Sequence, residues 1–274
     1  MNKNNVSAFA GTDIRLPLVS SQSKLSGWII LDKPTGITSA HAVAKVKRLL
    51  KPSKIGHAGT LDPLASGILP LALGEATKTV GYMMDASKAY AFTVAWGSET
   101  DTDDLEGKVT QTSEKSPTEA EILAILPHFT GEIDQKPPSY SAIKVDGKRA
   151  YDIARSGEEV ELKTRKVRVD SLVLQPRTPP YGGDTFICHC GKGTYIRSLA
   201  RDMGRKLGCF GHVTMLRRQK VGKFNEKLAI SLEKLEEMVH NGDLGFVLPV
   251  DAALDDILAA DLTPPQAKQI MHGM

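Results

Sequence analysis

Residues 56–67 read Gly-His-Ala-Gly-Thr-Leu-Asp-Pro-Leu-Ala-Ser-Gly and contain three glycines, one proline, one histidine and a single carboxylate, Asp62. Glycine opens backbone conformations that other residues avoid, and Pro63 disfavours a helical conformation at Asp62. The stretch therefore predicts a stiff, tightly turned loop that presents one acid. That acid is a candidate catalytic group; the alternative is a connector in which Asp62 caps a helix or a turn.

The composition is typical of a globular protein and limits its class. The chain has 274 residues, of which 41% are hydrophobic and 24% charged, enough for one large domain or two small ones. Its three cysteines are an odd number, which argues against a disulfide framework. The first 26 residues lack the apolar core of a signal peptide, and the uncharged stretch 63–74 is too short to span a bilayer. These features predict no membrane association and a reducing, cytoplasmic setting.

Positive charge is concentrated in two segments. Residues 33–54 hold six basic residues and no acid, and residues 192–223 hold nine basic residues against one acid, although the net charge is only +3. Such segregation favours a surface that binds a polyanion, and nucleic acid is the preferred interpretation. The alternative is two solvated helix faces that never meet.

Strands and helices interleave without a regular strand–helix alternation. Apolar runs predict strands at 27–32, 68–73, 89–96, 140–145, 167–174 and 185–190. Periodicity and capping residues predict helices at 39–50, 118–129, 149–156, 194–207 and 231–240, with a further helix ending near residue 84. This order indicates an α+β fold with a largely antiparallel, mixed β-sheet flanked by helices and loops.

The segment 98–107 carries five acids but does not fit a calcium loop. Counted from Asp101, such a loop needs glycine at its sixth position and glutamate at its twelfth, where this chain has Glu106 and Thr112. We therefore interpret the segment as a solvated turn; the alternative is a metal-dependent RNA hydrolase that uses the acids at 99–106.

Two short patterns suggest binding sites but fit structural roles better. Cys188-His189-Cys190 has no second ligand pair, so buried structural cysteines are favoured over a zinc site. Gly56 to Gly59 has the spacing of a GxxG clamp on an RNA backbone, but that clamp joins two helices and Pro63 follows here. The sequence therefore predicts no metal site.

Arg197 and Tyr90 each have two interpretations. Arg197 lies three residues after Thr194, the predicted cap of a helix, where it could bind a phosphate, pair with a buried carboxylate, or simply face solvent. Tyr90 begins a stripe with Phe92, Val94 and Trp96 that suits core packing. A tyrosine that lines a cleft could instead stack on a base and move a proton.

Six ordered landmarks between residues 27 and 255 make the chain resemble the bacterial tRNA pseudouridine-55 synthases. They are Asp32-Lys33-Pro34 with Gly36, the 56–67 stretch, Thr100-Asp-Thr-Asp-Asp, Lys136-Pro-Pro-Ser-Tyr-Ser-Ala-Ile-Lys, Gly193-Thr-Tyr-Ile-Arg-Ser-Leu and Gly211-His-Val-Thr-Met-Leu-Arg-Arg. The resemblance implies the pseudouridine synthase fold. It also implies isomerisation of uridine 55 in the T loop of tRNA, by flipping out the base, without a metal or cofactor.

The resemblance also assigns roles to residues. It implies that Asp62 is the essential carboxylate, that Arg197 pairs with it, and that Tyr90 stacks on the target base. His57, Tyr195 and Leu216 match residues that line the uridine pocket or contact the flipped nucleotide. Lys33 matches a lysine beside the active site.

The same resemblance divides the chain. We expect an N-terminal arm at 1–26, a catalytic domain at 27–255 and, at 256–274, the truncated start of a PUA-like RNA-binding module, with tRNA affinity weakened but chemistry retained. We expect a monomer whose partner is the T stem-loop of tRNA. A non-catalytic RNA-binding protein on the same scaffold remains the alternative.

Overall fold

A computed structural model describes residues 25–141, 143–145, 147–155, 162–176, 182–254, 257, 260 and 262–272. The described strands are β1 Gly27–Lys33, β2 Ile55–His57, β3 Ser66–Leu73, β4 Lys88–Trp96, β5 Ser98–Thr100, β6 Val109–Thr112, β7 Gly131–Gln135, β8 Lys144–Val145, β9 Lys148–Arg149, β10 Arg165–Leu174, β11 Asp184–Cys190, β12 Gly211–Val221, β13 Phe224–Asn225 and β14 Ile230–Ser231. The α-helices are α1 Ser39–Leu50, α2 Val80–Asp85, α3 Glu119–Ile125, α4 Ala150–Arg155, α5 Ile196–Leu207, α6 Leu232–His240 and α7 Pro264–Met271. Short 3₁₀ turns cover Gly74–Thr79, Leu126–Phe129, Glu226–Leu228 and Val250–Ala253.

One large mixed sheet organises the fold, in the order β14-β1-β3-β12-β4-β11-β10-β7, with β2 paired to β3 and β13 to β12. Its pairs are antiparallel except β1 with β14 and β3 with β12. The larger core contains inward-facing residues of the sheet with apolar residues of α1, α3, α5 and α6, and a second cluster around Trp28 and Phe224 is also buried. The α+β prediction with a largely antiparallel sheet is confirmed.

Local sequence accounts for several elements. Thr38 caps α1 by accepting a hydrogen bond from the backbone N of His41, as the sequence predicts. Alternation in β11 places Cys188 and Cys190 in the core as free thiols and leaves His189 exposed. Helix α5 ends at Gly208, whose left-handed backbone, with φ of 68°, suits glycine.

Other expectations need correction. Strand β12 lies between β3 and β4 in the sheet but was not predicted, because its last half carries Arg217, Arg218 and Lys220 in place of an apolar alternation. The cap of α5 is Tyr195 and not Thr194, whose hydroxyl donates to the Gly191 carbonyl. The predicted arm at 1–26 lies outside the described residues except for its last two.

Candidate active site

The loop 58–65 that carries Asp62 is bonded to its surroundings along its length. The buried Ser39 hydroxyl, in the first turn of α1, donates to the Leu61 carbonyl at 2.9 Å and accepts from the Leu61 backbone N at 2.8 Å. The backbone N of Gly36 donates to the Pro63 carbonyl at 2.8 Å. These bonds fix the backbone on both sides of Asp62, so the acid is held in place before any ligand arrives.

Asp62 pairs with Arg197, as the resemblance implies. Arg197 Nε donates to Asp62 Oδ2 at 2.9 Å, Nη1 to the Thr102 carbonyl at 2.7 Å and Nη2 to the Tyr140 carbonyl at 2.9 Å. The arginine side chain is 4% exposed and the aspartate side chain 35% exposed. Among the described residues none hydrogen-bonds to Asp62 Oδ1. The pair therefore presents one carboxylate oxygen towards open space while the guanidinium is fixed in three directions.

The acidic segment 98–107 forms a turn that is solvated only in part, so the prediction needs correction: Asp101 and Glu106 are exposed, but the other three acids are buried. Asp103 and Asp104 are buried, and Glu99 is 6% exposed. Three arginines on one face of α5 pair with these acids. Arg197 Nε lies 3.6 Å from Asp104 Oδ2, and Arg201 Nη1 lies 3.0 Å from Asp103 Oδ2. Arg205 Nη2 lies 2.6 Å from Glu99 Oε1. The segment anchors α5, and with it Arg197, to the part of the chain that follows the C-terminal end of β4.

This buried network shifts the pKa values of its charged groups. Burial raises the pKa of Asp103 to about 6, although Arg201 and Arg197 oppose the increase. Burial alone would lower the pKa of Arg197, but the nearby carboxylates of Asp62, Asp104 and Asp103 raise it overall. Arg197 therefore keeps its charge beside Asp62.

Arg218 belongs to the interior, although the sequence places it in a phosphate-binding segment. It is 2% exposed, and it donates to the carbonyls of Ile68 at 2.7 Å and Gly59 at 3.0 Å. It also lies opposite Tyr90 in the β12–β4 pairing. Arg218 therefore connects the Asp62 loop to the strand that carries Tyr90.

Tyr90 and His57 both lie close enough to Arg218 for its charge to affect their pKa values. Burial raises the pKa of the Tyr90 hydroxyl, and the Arg218 charge acts in the opposite direction. Burial and the same guanidinium lower the pKa of His57, whose buried Nδ1 has no hydrogen-bond partner within the described ranges. Both pKa shifts favour the neutral forms of these side chains near pH 7.

Tyr195 and Leu216 lie on neighbouring elements, Tyr195 at the start of α5 and Leu216 on β12. Tyr195 is half-buried, two residues before Arg197, and the Arg165 guanidinium lies over its ring at 5.1 Å. Leu216 is 6% exposed, faces Phe92 in the β12–β4 pairing and belongs to the main core. Its role in lining the pocket stays a prediction.

Lys33 lies beneath the Asp62 loop and is fully buried. Its Nζ donates to the carbonyls of Pro34 and Ile37 at 2.8 Å and reaches that of Pro63 at 3.5 Å. Burial lowers the pKa of Lys33 to about 8, against the opposing charge of Asp62. The lysine therefore ties the chain on both sides of the loop together and can lose its proton just above neutral pH.

The low pKa predicts a pH-dependent contribution of Lys33 to stability. Between about pH 8 and 10.5 the unfolded chain binds more protons at Lys33 than the folded chain, so this contribution rises with pH. From pH 8 to pH 10.5, wild type should gain about 1–3 kcal/mol relative to Lys33→Met, measured by urea unfolding. Lys234→Met, at an exposed lysine of α6, is the control and should show no such trend. A constant difference between wild type and Lys33→Met would contradict the prediction.

The described ranges contain neither a cluster suited to a metal ion nor a helix suited to span a membrane. No cluster of three or more histidine, cysteine, aspartate or glutamate residues suited to hold a metal ion occurs there. The helices in those ranges are each too short or too polar to cross a lipid bilayer.

Comparison with known proteins identifies the class of this fold and site. The profile described as TruB family pseudouridylate synthase (N terminal domain) matches residues 47–196, and that of the tRNA pseudouridylate synthase B C-terminal domain matches residues 197–255. The curated tRNA pseudouridine synthase B of Bradyrhizobium diazoefficiens is 54% identical over 253 residues, covering 90% of this chain and 73% of its own length. That of Brucella canis is 57% identical over 269 residues, covering 91% and 83%.

Two solved structures also contain a chain whose fold is similar to that of this chain. A Cbf5-Nop10-Gar1 complex contains a chain that superposes with a TM-score of 0.64 at 31% identity, covering 83% of this chain and 61% of that one. A chain of an H/ACA RNP bound to a substrate RNA containing 2′-deoxyuridine gives a TM-score of 0.62 at 28% identity, covering 85% and 61%. This chain thus spans less than two thirds of those proteins.

These matches define a pseudouridine synthase, an isomerase that converts uridine to pseudouridine. Within that class, the chain belongs to the TruB family of pseudouridylate synthases.

Proposed function

We infer that the chain isomerises uridine 55 in the T loop of tRNA, with Asp62 as the essential carboxylate. The observation that carries this proposal is the Asp62–Arg197 pair, built from two landmarks that lie 135 residues apart in sequence. The relatives named tRNA pseudouridine synthase B support tRNA as the substrate. Because the reaction only rearranges atoms of one nucleotide, we expect it to need no cofactor or metal.

The reaction breaks the N1–C1′ bond, turns the base while it is held, and joins C5 to C1′. The proton lost from C5 is balanced by the one gained at N1. Asp62 meets the nucleotide through its free Oδ1, while Arg197 holds the other oxygen. We assign stacking on the uracil to Tyr90, whose neutral hydroxyl is the candidate for proton exchange at C5.

The base must leave the folded T loop to reach Asp62. Flipping a base costs a few kcal/mol, and stacking on an aromatic ring recovers about 1–3 kcal/mol per base. Tyr90, Tyr195, His57 and Leu216 are the side chains we assign to the uridine pocket and its rim. Lys33 acts indirectly, through the backbone next to Asp62.

Only some basic residues of segments 33–54 and 192–223 are available to bind phosphate, because the others are buried or paired with acids. Lys33, Arg197, Arg201 and Arg218 are buried, and Arg205 and Arg217 are paired with Glu99 and with Asp32 and Glu226. Lys192 is paired with the exposed Asp85. Eight other basic residues of the two segments are candidates to contact RNA: Lys45, Lys47, Arg48, Lys51, Lys54, Lys206, Lys220 and Lys223.

These residues predict a steep salt dependence of RNA binding. About 6–10 phosphate contacts would lower affinity by about 10³–10⁵ between about 50 and 200 mM salt. Lys47→Gln, on the exposed face of α1, should reduce the slope of log affinity against log salt by about 1. Filter binding measures both, with Lys234→Gln on α6 as the control. A flat profile for wild type would refute the phosphate assignment.

For the whole chain we propose a cytoplasmic monomer with its catalytic domain at 27–255, followed at 256–274 by the start of a PUA-like RNA-binding module. The family profiles end at residue 255, which supports that boundary. The three free, buried cysteines suit a reducing compartment.

Mapping pseudouridine in unmodified tRNA treated with the purified protein tests the function. We expect modification at position 55 and none in a transcript that carries cytidine there. RNA that is bound but unmodified would support the non-catalytic alternative, and chain cleavage abolished by a chelator would support the hydrolase.

A further inference from the structure

Two residues that lie opposite each other in the sheet both contact Tyr195. Gln135 is the last residue of β7, Arg165 is the first residue of β10, and the two are register partners. Neither contact is needed to form the sheet, because both are made by side chains that extend towards the start of α5. The pairing thus brings two polar side chains of different chemistry to one tyrosine.

The Gln135 side chain hydrogen-bonds to both the backbone N–H and the backbone carbonyl of Tyr195. Its amide oxygen accepts from the Tyr195 N at 2.8 Å, and its amide nitrogen donates to the Tyr195 carbonyl at 3.0 Å. The glutamine is 1% exposed, and Tyr195 caps α5 without a side-chain capping bond of its own. Gln135 therefore fixes where the helix begins, and Arg197 lies in its first turn.

The residue after Gln135 extends the same junction. The Lys136 carbonyl accepts from Ser198 Oγ and from Arg201 Nη2, both at 2.9 Å. The end of β7 is thus bonded to Tyr195, Ser198 and Arg201 in turn, over nearly two turns of α5. A shift of this junction would move Tyr195 and Arg197 together.

Arg165 holds the Tyr195 ring. Its guanidinium carbon lies 5.1 Å from the ring centroid, within the range of a cation–π contact, and Nη2 donates to the Gly193 carbonyl. Gly193 has φ of +81°, and a Cβ there would stand 3.4 Å from Nη2. The buried Nε has no acceptor among the described residues, so the ring and the Gly193 carbonyl are the contacts that orient this side chain.

We propose that Gln135 and Arg165 are positioning residues for the isomerisation. Gln135 sets the backbone of Tyr195 and Arg165 sets the face of its ring, so that Tyr195 meets the flipped nucleotide while Arg197 meets Asp62. This inference rests on the proposed function, because the contact of Tyr195 with the nucleotide is assigned there.

Single-turnover pseudouridine formation on a T stem-loop RNA, at saturating enzyme, tests the proposal in Gln135→Met, Gln135→Glu, Arg165→Met and Arg165→Lys. Both methionine variants should lower the rate constant at saturation by about tenfold or more. Gln135→Glu should be equally slow, since it places a carboxylate against the Tyr195 carbonyl. Arg165→Lys keeps a cation over the ring and should recover to within about threefold of wild type.

A double variant separates positioning from other roles. In a Tyr195→Ala background, Arg165→Met should change the rate constant by less than about twofold, because the ring that Arg165 contacts is absent. Lys166→Met, at the exposed neighbour of Arg165 on β10, should match wild type. RNA affinity and urea unfolding are measured for each variant, so that rates refer to folded, RNA-bound enzyme.

Three results would overturn the proposal. Unchanged rate constants in Gln135→Met and Arg165→Met would show that neither residue positions the site. A loss confined to RNA affinity in Arg165→Met would make Arg165 a phosphate contact, and a full effect in the Tyr195→Ala background would remove Tyr195 from its action. Failure of the proposed function looks different, because wild type itself would then be as inactive as Asp62→Asn.

Discussion

Asp62→Asn should bind tRNA with near wild-type affinity and form pseudouridine at least about 10³-fold more slowly. The substitution keeps the shape of the side chain but removes the charge and basicity of Oδ1, the oxygen that accepts no hydrogen bond from the described residues. The surrounding loop keeps its bonds to Ser39, Gly36 and Lys33, so the fold should survive. Unfolding free energy should fall by about 1–3 kcal/mol, because Arg197 loses one partner and keeps Asp104 and two carbonyls.

Single-turnover kinetics, filter binding and urea unfolding on one preparation test this result. The matched control is Asp85→Asn, which removes the same charge from an exposed pair with Lys192 at 3.0 Å. That pair is solvent-screened and should contribute about 1 kcal/mol or less. Turnover by Asp62→Asn within tenfold of wild type would remove Asp62 from the chemistry.

Arg197→Met should damage both stability and activity. It leaves Asp104 buried without its cation and Asp62 without its anchor, while the carbonyls of Thr102 and Tyr140 lose their donors. Breaking a buried ion pair from one side typically costs about 3–5 kcal/mol, so the unfolding midpoint in urea should fall sharply. The folded fraction should show a rate loss comparable to that of Asp62→Asn.

Arg197→Lys separates charge from geometry. A lysine keeps one positive charge but cannot donate in three fixed directions at once, so it should recover part of the stability while activity stays about 100-fold below wild type. The control is Arg168→Lys on β10, where the arginine pairs with Asp170 in solvent at 2.7 Å. Wild-type turnover in Arg197→Lys would show that charge alone suffices and that the three-way hold on the guanidinium is irrelevant.

Both predictions depend on the network of contacts that holds Asp62 and Arg197 in place. Asp62 is useful because loop, lysine and arginine hold it, and Arg197 is useful because Asp103, Asp104 and Glu99 anchor its helix. Substitutions in this network are therefore expected to be non-additive. A cycle that combines Asp62→Asn with Arg197→Lys should show a rate loss smaller than the product of the two single losses.

The local sequence determined several of the elements and indicated the candidate residues of the site. Thr38 starts α1 and Gly208 ends α5 by capping rules that act within a few residues. The glycines and Pro63 predicted the loop that carries Asp62, and six spaced landmarks pointed to the family that the comparisons then established. Alternation placed Cys188 and Cys190 in the core. Each of these features depends on neighbours in sequence, so a linear reading can find it.

Only the tertiary structure decided which charges are buried together. Asp103 looks solvated and Arg218 looks like a phosphate ligand, because the residues next to them in sequence give no reason to bury either charge. Their partners lie far along the chain: Arg201 for Asp103, and the Ile68 carbonyl for Arg218, 98 and 150 residues away. A charged side chain is buried when a folded partner offsets its desolvation, and that offset exists only once the sheet and α5 have met.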